Sequence, residues 1–363
     1  MATKQRVAIS TGGGDAPGLN AVIRSAVLTG LSRGWEMVGV EKGFGGLLGD
    51  GSVVPLGRPE VAGITHVGGT ILGTTNRGDP FRWPCEQPDG SWTEIDRSDD
   101  LLSEFHRHAL DALIVVGGDG SLHIACELWN KGLPVVGVPK TIDNDVGGTL
   151  VTFGFDTAVT TATEAIDKIR STAQSHERVM VIEVMGRYAG WIALHSGLAG
   201  DADVILIPEI PFDFDKVSEK ILQREAAGRR YSIVVVAEGA APRSGGPSLK
   251  APAEVGAAER LGGLGELVAA AIAESTGKET RVVTLGHLQR GGSPTTFDRL
   301  LALRFGAEAT RAIAHKRFGR MVSYRPPTVT TVTLGEVLNK PKLVPLSGDV
   351  VCTARELGVC LGD

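Results

Sequence analysis

Cysteine and aromatic residues are scarce in this chain, long apolar runs are missing, and charge of neither sign gathers into blocks. Its four cysteines in 363 residues, Cys85, Cys126, Cys352 and Cys360, show no CxxC spacing. That argues against a disulfide framework and fits reduced thiols in a cytosolic protein. The apolar runs fall well short of the roughly 20 residues that a membrane span needs. The first residues, MATKQRVAIS, enter a strand directly and lack the apolar region of a signal peptide, so a cytoplasmic protein is expected. A net charge of −5 with interspersed signs gives no support for nucleic acid or a membrane surface as the main partner. Internal repeats and low-complexity tracts are missing too. So are GxGxxG and GxxxxGK[ST], which leaves a dinucleotide fold and a Walker-type NTPase without support.

What is present is an ordinary globular composition, 42% hydrophobic and 22% charged. The length fits two domains, or one large domain with a split core. Glycine is frequent, at 49 residues, and clusters in GGG, GFGGL and QRGGS. Clustered glycine suits backbone-lined anion sites, because no Cβ blocks the approach. β-Branched runs recur at 6–11, 110–116, 133–138, 178–184, 202–208, 231–238 and 281–287. They are apolar on both faces, as strands of a covered parallel sheet should be. Helical stretches lie between them, for example at 18–34 and 158–174. This alternation predicts an α/β fold with open, mostly parallel sheets.

Ligands of such sheets bind beyond the carboxyl ends of the strands. Five segments fall there: TGGGDAPG (11–18), VGGDGS (116–121), PKTIDND (139–145), VMGRYAG (184–190) and LGHLQRGG (285–292). The polar segment 79–99, rich in Pro, Asp and Trp, reads as a surface insertion, and the stretch from about 326 carries no interpretable motif.

TGGGDAPG follows a strand and opens a helix, so its backbone N–H groups and the helix dipole suit a phosphate; a tight structural turn is the alternative. VGGDGS repeats that geometry with Asp119 in the loop. Asp119 suits Mg²⁺, which binds through one or two carboxylates plus substrate phosphates, but it equally suits a helix N-cap. Gly117, Gly118 and Gly120 allow close backbone approach, and Ser121 offers a donor. In PKTIDND, Asp143 and Asp145 share side-chain parity if the strand continues, so one can serve an acceptor hydroxyl as general base and the other a metal. An Asx-turn is the competing reading. Arg187 suits charge on a transferring phosphoryl group, and Arg290 and Arg281 suit a second phosphate; each taken alone also suits a surface ion pair. His287 alone reads as structural, and His106 and His108, two apart, share no helix face. The convergence of all these groups on one rim argues for phosphoryl transfer, where positioning and electrostatics dominate.

The set GGGDAPGLN, GGDGS, PKTIDND, MGRYAG, AEG and LGHLQRGGSPTTFDR, in this order and spacing over roughly residues 5–320, resembles the 6-phosphofructokinases. GGDG alone is shared with NAD kinases and diacylglycerol kinases; TIDND with MGR and HxQRGG is specific. The resemblance implies two Rossmann-like three-layer domains with mostly parallel sheets and an active-site cleft between them. Residues 1–154 plus about 267–318 would form the phosphate-donor domain. Residues from about 155 to 266 plus 319–363 would form the sugar-phosphate domain and tail. The implied reaction is the glycolytic transfer of a phosphoryl group to O1 of fructose 6-phosphate, with Mg²⁺, from a nucleoside triphosphate or pyrophosphate. Asp143 would be the base with Thr141 beside it, Asp119 the magnesium ligand and Arg187 the transition-state stabiliser, with Gly14 in the catalytic set. Donor contacts would come from Gly13, Gly14, Phe44, Arg77, Gly118, Asp119, Gly120 and Ser121. The acceptor would meet Thr141, Ile142, Asp143, Met185, Gly186, Arg187, Glu238, His287 and Arg290. Arg178 and Arg281 would reach into a neighbouring subunit's site, which implies a homo-oligomer, dimer or tetramer.

Donor choice falls on two positions. Gly120 is of the ATP type, and Lys140 is of the pyrophosphate type. A carboxylate at 120 would crowd and repel the α-phosphate of ATP, whereas a lysine at 140 only adds a phosphate contact, so ATP is expected. Asn76 stands where many relatives carry an arginine, with Arg77 one position later. Phe44 replaces a tyrosine that often stacks on adenine, and its ring can still stack. Arg24, Arg170 and Arg229 match the bacterial effector site, but Leu28 and Gly51 stand where basic residues are usual, so weak effector control is expected. A pyrophosphate-dependent enzyme, an NAD-kinase-like enzyme and a non-enzymatic sensor remain the rivals.

Overall fold

The structure, a computed structural model, describes residues 4–246, 248–251, 260–338 and 340–363. Its strands in chain order are β1 (Arg6–Thr11), β2 (Glu36–Val40), β3 (Val53–Pro55), β4 (Trp83–Glu86), β5 (Trp92–Ile95), β6 (Ala112–Gly117), β7 (Val135–Pro139), β8 (Val179–Val184), β9 (Val204–Leu206), β10 (Ser232–Ala237), β11 (Leu249–Ala251), β12 (Arg260–Leu261), β13 (Thr280–Thr284), β14 (Arg320–Arg325) and β15 (Thr328–Thr333). A seven-stranded sheet runs β15-β14-β7-β6-β1-β2-β3, and a four-stranded sheet runs β13-β8-β10-β9. The smaller sheet is wholly parallel, while the larger one is parallel through its centre with the antiparallel strands β15 and β3 at its edges. The α/β expectation with mostly parallel sheets therefore holds.

The β-branched runs form the sheet centres because these strands are covered on both faces. Every residue of β6, β7, β8 and β10 is buried. One face of the larger sheet packs on helices Leu19–Leu31 and Thr296–Ala314 through Val22, Ile23, Phe305 and Ala309. Its other face packs on helices Ser98–Arg107 and Asp119–Asn130 through Leu101, Phe105, Leu122 and Leu128. The smaller sheet is sandwiched in the same way, with Ala158, Ala162 and Ile192 on one side and Val217, Val268 and Ile272 on the other. Each sheet is thus the middle of three layers.

Sheet membership departs from the expected segment boundaries. β13 lies within 267–318 yet pairs with β8 in the smaller sheet. β14 and β15 lie beyond 319 yet pair into the larger sheet, through β14 on β7. The chain crosses between sheets more often than the motifs disclose, because edge strands carry no motif. The final residues return to the smaller sheet, where the Ile205 N–H donates to the Cys360 carbonyl at 2.9 Å and the Cys360 N–H to the Asp203 carbonyl at 3.0 Å. The polar 79–99 segment contains the hairpin β4–β5, anchored by buried Trp83 with the Arg97 guanidinium 5.5 Å from the Trp83 ring centroid.

Candidate active site

A cavity of about 810 Å³ opens at the carboxyl ends of β1, β6 and β7. Its walls include Gly12 to Gly14, Phe44, Gly118 to Ser121, Lys140, Thr141 and Arg290. Three of the five expected segments thus share one space, joined by Arg290 from a fourth. Two ties hold the glycine loops together. An ideal Cβ on Gly117 would lie 2.5 Å from Ser121 Oγ and one on Gly12 would lie 2.9 Å from it, so both loops close on that hydroxyl. The Lys140 ammonium donates to the Gly14 carbonyl, and Arg290 Nη1 donates to the Asp15 carbonyl at 3.0 Å.

Two of the N–H groups of TGGGDAPG are committed to the fold, while Gly14 lines the cavity. The Gly12 N–H donates to the Val116 carbonyl at 2.9 Å and the Gly13 N–H to the Thr75 carbonyl at 3.0 Å, so the fold itself uses both. The following helix starts only at Leu19. The helix that points its first turn at the cavity is Asp119–Asn130, whose N-cap is Gly118. The capping alternative for Asp119 is therefore not realised. Its carboxylate is 58% exposed and lies 3.3 Å from His123 Nδ1. Gly120 borders the cavity, and a Cβ built on it would meet nothing within 4 Å.

In the 139–146 loop the charges are enclosed. Lys140 is 4% exposed, and burial, aided by Arg290, lowers its pKa to about 8. Asp143 is half-buried, but its Oδ1 is enclosed and takes no hydrogen bond among the described residues. Burial first, and the Asp145 charge second, push Asp143 up to about 7. Burial likewise raises Asp145, against a hydrogen bond from Thr141, and the Asp119 charge adds to the rise. Asp119, Asp143 and Asp145 therefore belong to one electrostatic neighbourhood. β7 ends at Pro139, so strand parity does not bring the two aspartates together. Asn144 between them takes a left-handed φ of 53°, its side chain accepts from the Thr152 N–H at 3.2 Å, and Thr141 Oγ1 accepts from the Asp143 N–H at 3.1 Å. That turn, not an Asx-turn of Asp143, shapes the loop.

Residues of the smaller sheet's rim approach from the other side. Glu238, half-buried, is raised by burial first and by Glu183 second, while Arg290 and Arg187 act against the rise. The Arg187 guanidinium lies 5.1 Å from the ring of exposed Tyr188. The Met185 N–H donates to Gln289 Oε1 at 3.3 Å, and the Gly239 N–H to the Gly186 carbonyl at 3.1 Å. His287 is exposed. Arg178 and Arg281 do not join this group. They flank Glu279 at the opposite ends of β8 and β13, with Arg178 Nη2 at 2.8 Å from its carboxylate. Six residues of strand separate Arg178 from Val184, roughly 20 Å at strand rise.

Two expected contacts change character. Ile142 is fully buried among Ala16 and Phe155, which leaves only its backbone for a ligand. Phe44 borders the cavity but is 4% exposed and packs in the core with Val40 and Leu47, so its ring presents no open stacking face here. Sequence reading missed Asp79, Arg82 and Glu94, which the hairpin segment brings to the cavity wall. It also missed Gln289 and Lys342, whose partners are distant in sequence. Among the described residues, three or more His, Cys, Asp or Glu nowhere gather as a metal-holding cluster. Exposed Asp119, at the first turn of the helix that faces the cavity, fits a magnesium ion held largely by substrate phosphates.

A family model described as phosphofructokinase matches residues 6–313. A protein of Chloroflexus aggregans named ATP-dependent 6-phosphofructokinase is 51% identical over 363 residues, 99% of this chain and 98% of the relative. A protein of Amycolatopsis methanolica named pyrophosphate–fructose 6-phosphate 1-phosphotransferase is 49% identical over 342 residues, covering 94% of this chain and 96% of its own. Among solved structures, Pichia pastoris phosphofructokinase in the T-state superposes with a TM-score of 0.79 at 32% identity, over 93% of this chain and 36% of that chain.

Proposed function

The chain belongs to the phosphofructokinase family, and on that premise we propose that it transfers a phosphoryl group from ATP to O1 of fructose 6-phosphate, giving fructose 1,6-bisphosphate. The carrying observation is Gly120 beside a cavity of about 810 Å³. That space lies within the range of sites that enclose drug-sized ligands and exceeds the need of pyrophosphate alone.

Asp143 takes the proton of the sugar's O1 hydroxyl. The oxygen attacks the γ-phosphorus, and the bond to the β-γ bridging oxygen breaks, releasing ADP. A base pKa of about 7 is matched to neutral pH. Arg187, Arg290 and Lys140 offer cationic donors to the charge on the moving group. The helix Asp119–Asn130 turns its positive end to the donor phosphates, and Arg77 lies on the same wall. Asp119 would hold Mg²⁺, which neutralises phosphate charge as it migrates. Met185, Gly186, Glu238, His287 and Arg290 seat the sugar phosphate. Arg178 and Arg281, remote from Asp143 in their own chain, serve a neighbouring copy in a homo-oligomer. The four free cysteines fit a reducing cytoplasm, and no helix among the described residues is long and apolar enough to cross a membrane.

The second reading, pyrophosphate as donor, rests on Lys140 and on the Amycolatopsis relative. Lys140 Nζ donates to the Gly14 carbonyl and so already has a structural role compatible with either donor. Initial rates with ATP and with pyrophosphate at equal magnesium decide the matter. At least tenfold preference for ATP is expected, and the reverse preference would overturn the donor assignment.

A further inference from the structure

The segment from Lys340 to Val344, outside every recognised motif, lies against the catalytic loop. The Lys342 N–H donates to the Asp145 carbonyl at 2.8 Å. Lys342 Nζ donates to Asn144 Oδ1 at 2.6 Å, to the Leu150 carbonyl at 2.7 Å and to the Thr149 carbonyl at 3.3 Å. Asn144 is the residue whose left-handed backbone separates Asp143 from Asp145. The strap is anchored on its other side to the layer of the smaller sheet. Trp191 Nε1 donates to the Lys342 carbonyl at 2.8 Å, and the Val344 N–H donates to Glu209 Oε1 at 2.8 Å. Glu209 also accepts from the Gly190 N–H at 3.1 Å.

The loop is shaped to receive this strap. An ideal Cβ on Gly147 would lie 2.4 Å from the Lys340 carbonyl oxygen, closer than any side chain tolerates. Removing the Lys342 ammonium takes a donor from the Leu150 and Thr149 carbonyls and leaves Asn144 Oδ1 with the Thr152 N–H alone, in a left-handed turn that asparagine tolerates but that its partners hold in place.

We propose that Lys342 is a positioning residue: from behind the loop it fixes Asn144, and through it the aim of Asp143 at the acceptor oxygen. The inference deepens the kinase reading and rests on it. Because Lys342 touches neither the donor cavity wall nor the acceptor groups, its loss should misplace the base without weakening substrate affinity. The charged groups that face Asp143 are Asp145, Arg290, Glu238 and Lys140, and the Lys342 charge acts on Asp145, whose carboxyl it holds down against burial.

The test compares wild type with Lys342→Met, Lys342→Arg and Trp191→Phe in the full chain. Lys342→Met is expected to lower kcat about 10- to 100-fold with KM for ATP and fructose 6-phosphate within about twofold. Lys342→Arg should recover most of that loss, and Trp191→Phe, which removes the N–H that anchors the strap while keeping an aromatic ring beside His195 and Lys342, should lower kcat about two- to tenfold. Amide exchange across residues 141–146 should accelerate at least tenfold in Lys342→Met. Unchanged kcat, or a loss that merely tracks a fallen Tm without rescue by arginine, would overturn the inference. Unchanged exchange would overturn it whatever reaction the wild type catalyses, whereas an inactive wild type would strike only the kinase reading.

Discussion

Asp119 and Asp143 are carboxylates in the same electrostatic neighbourhood, yet the chain treats them in opposite ways. Asp119 stands 58% exposed at the first turn of a helix, beside Gly120 with open space before it. Asp143 has an enclosed oxygen without a hydrogen bond, held in a turn by Thr141, Asn144 and Thr152. The wall around Asp119, the proposed donor side, is open, and the loop around Asp143, the proposed base, is enclosed and held by hydrogen bonds. A group that holds a hydrated cation and phosphates needs access, whereas a base must be brought near neutral pKa by burial, at a cost in stability.

The sharpest way to break this comparison is Asp143→Asn. Removal of the base is expected to lower kcat by about 10²- to 10⁴-fold with fructose 6-phosphate binding retained, read by coupled assay and calorimetry. The same variant reports the cost of burial. A folded pKa of about 7 against roughly 4 unfolded means that folding disfavours the ionised form, so wild-type stability is lost as pH rises from about 4 through 7. Asp143→Asn should melt above wild type at pH 8, and the gap should close near pH 4. On the donor wall, Gly120→Asp should fold normally, because its Cβ meets no atom. The added charge near the phosphates should raise the ATP KM or lower kcat/KM by about 10- to 100-fold, in line with Coulomb repulsion at short range. ATP kinetics left unchanged would show that the wall does not select the donor. The smallest effect concerns the acid limb. Wild-type kcat/KM should fall about tenfold per unit below pH 7, and Asp145→Asn, by removing a neighbouring like charge, should move that limb down by about half a unit.

Much of this was legible in the sequence where burial is uniform. The runs that became β1, β6, β7, β8 and β10 announce themselves because covered parallel strands tolerate little but apolar residues. β14 and β15, an edge pair, carry Arg320, Ser323 and alternating threonines, and their membership in the larger sheet is set by contacts with β7 across a long separation. At the site, residue types disclosed which groups carry charge but not which part of each residue faces the ligand. Ile142 keeps its motif position with its side chain in the core. The hairpin segment read as a surface insertion because Glu94 and Arg82 are polar, although the cavity wall requires such residues. Lys342 left no signal at all, since its partner Asn144 lies 198 residues earlier.

The return of late chain to early sheets has a consequence for synthesis. β1, β6 and β7 leave the ribosome early, yet the larger sheet's β7 edge stays open until β14 and β15 emerge. The smaller sheet lacks β13 until residue 284, and its β9 end lacks Cys360 until about 120 residues after β10 is made. Nascent chains therefore carry unpaired strand edges through much of translation, and the pairs that close them are of high contact order.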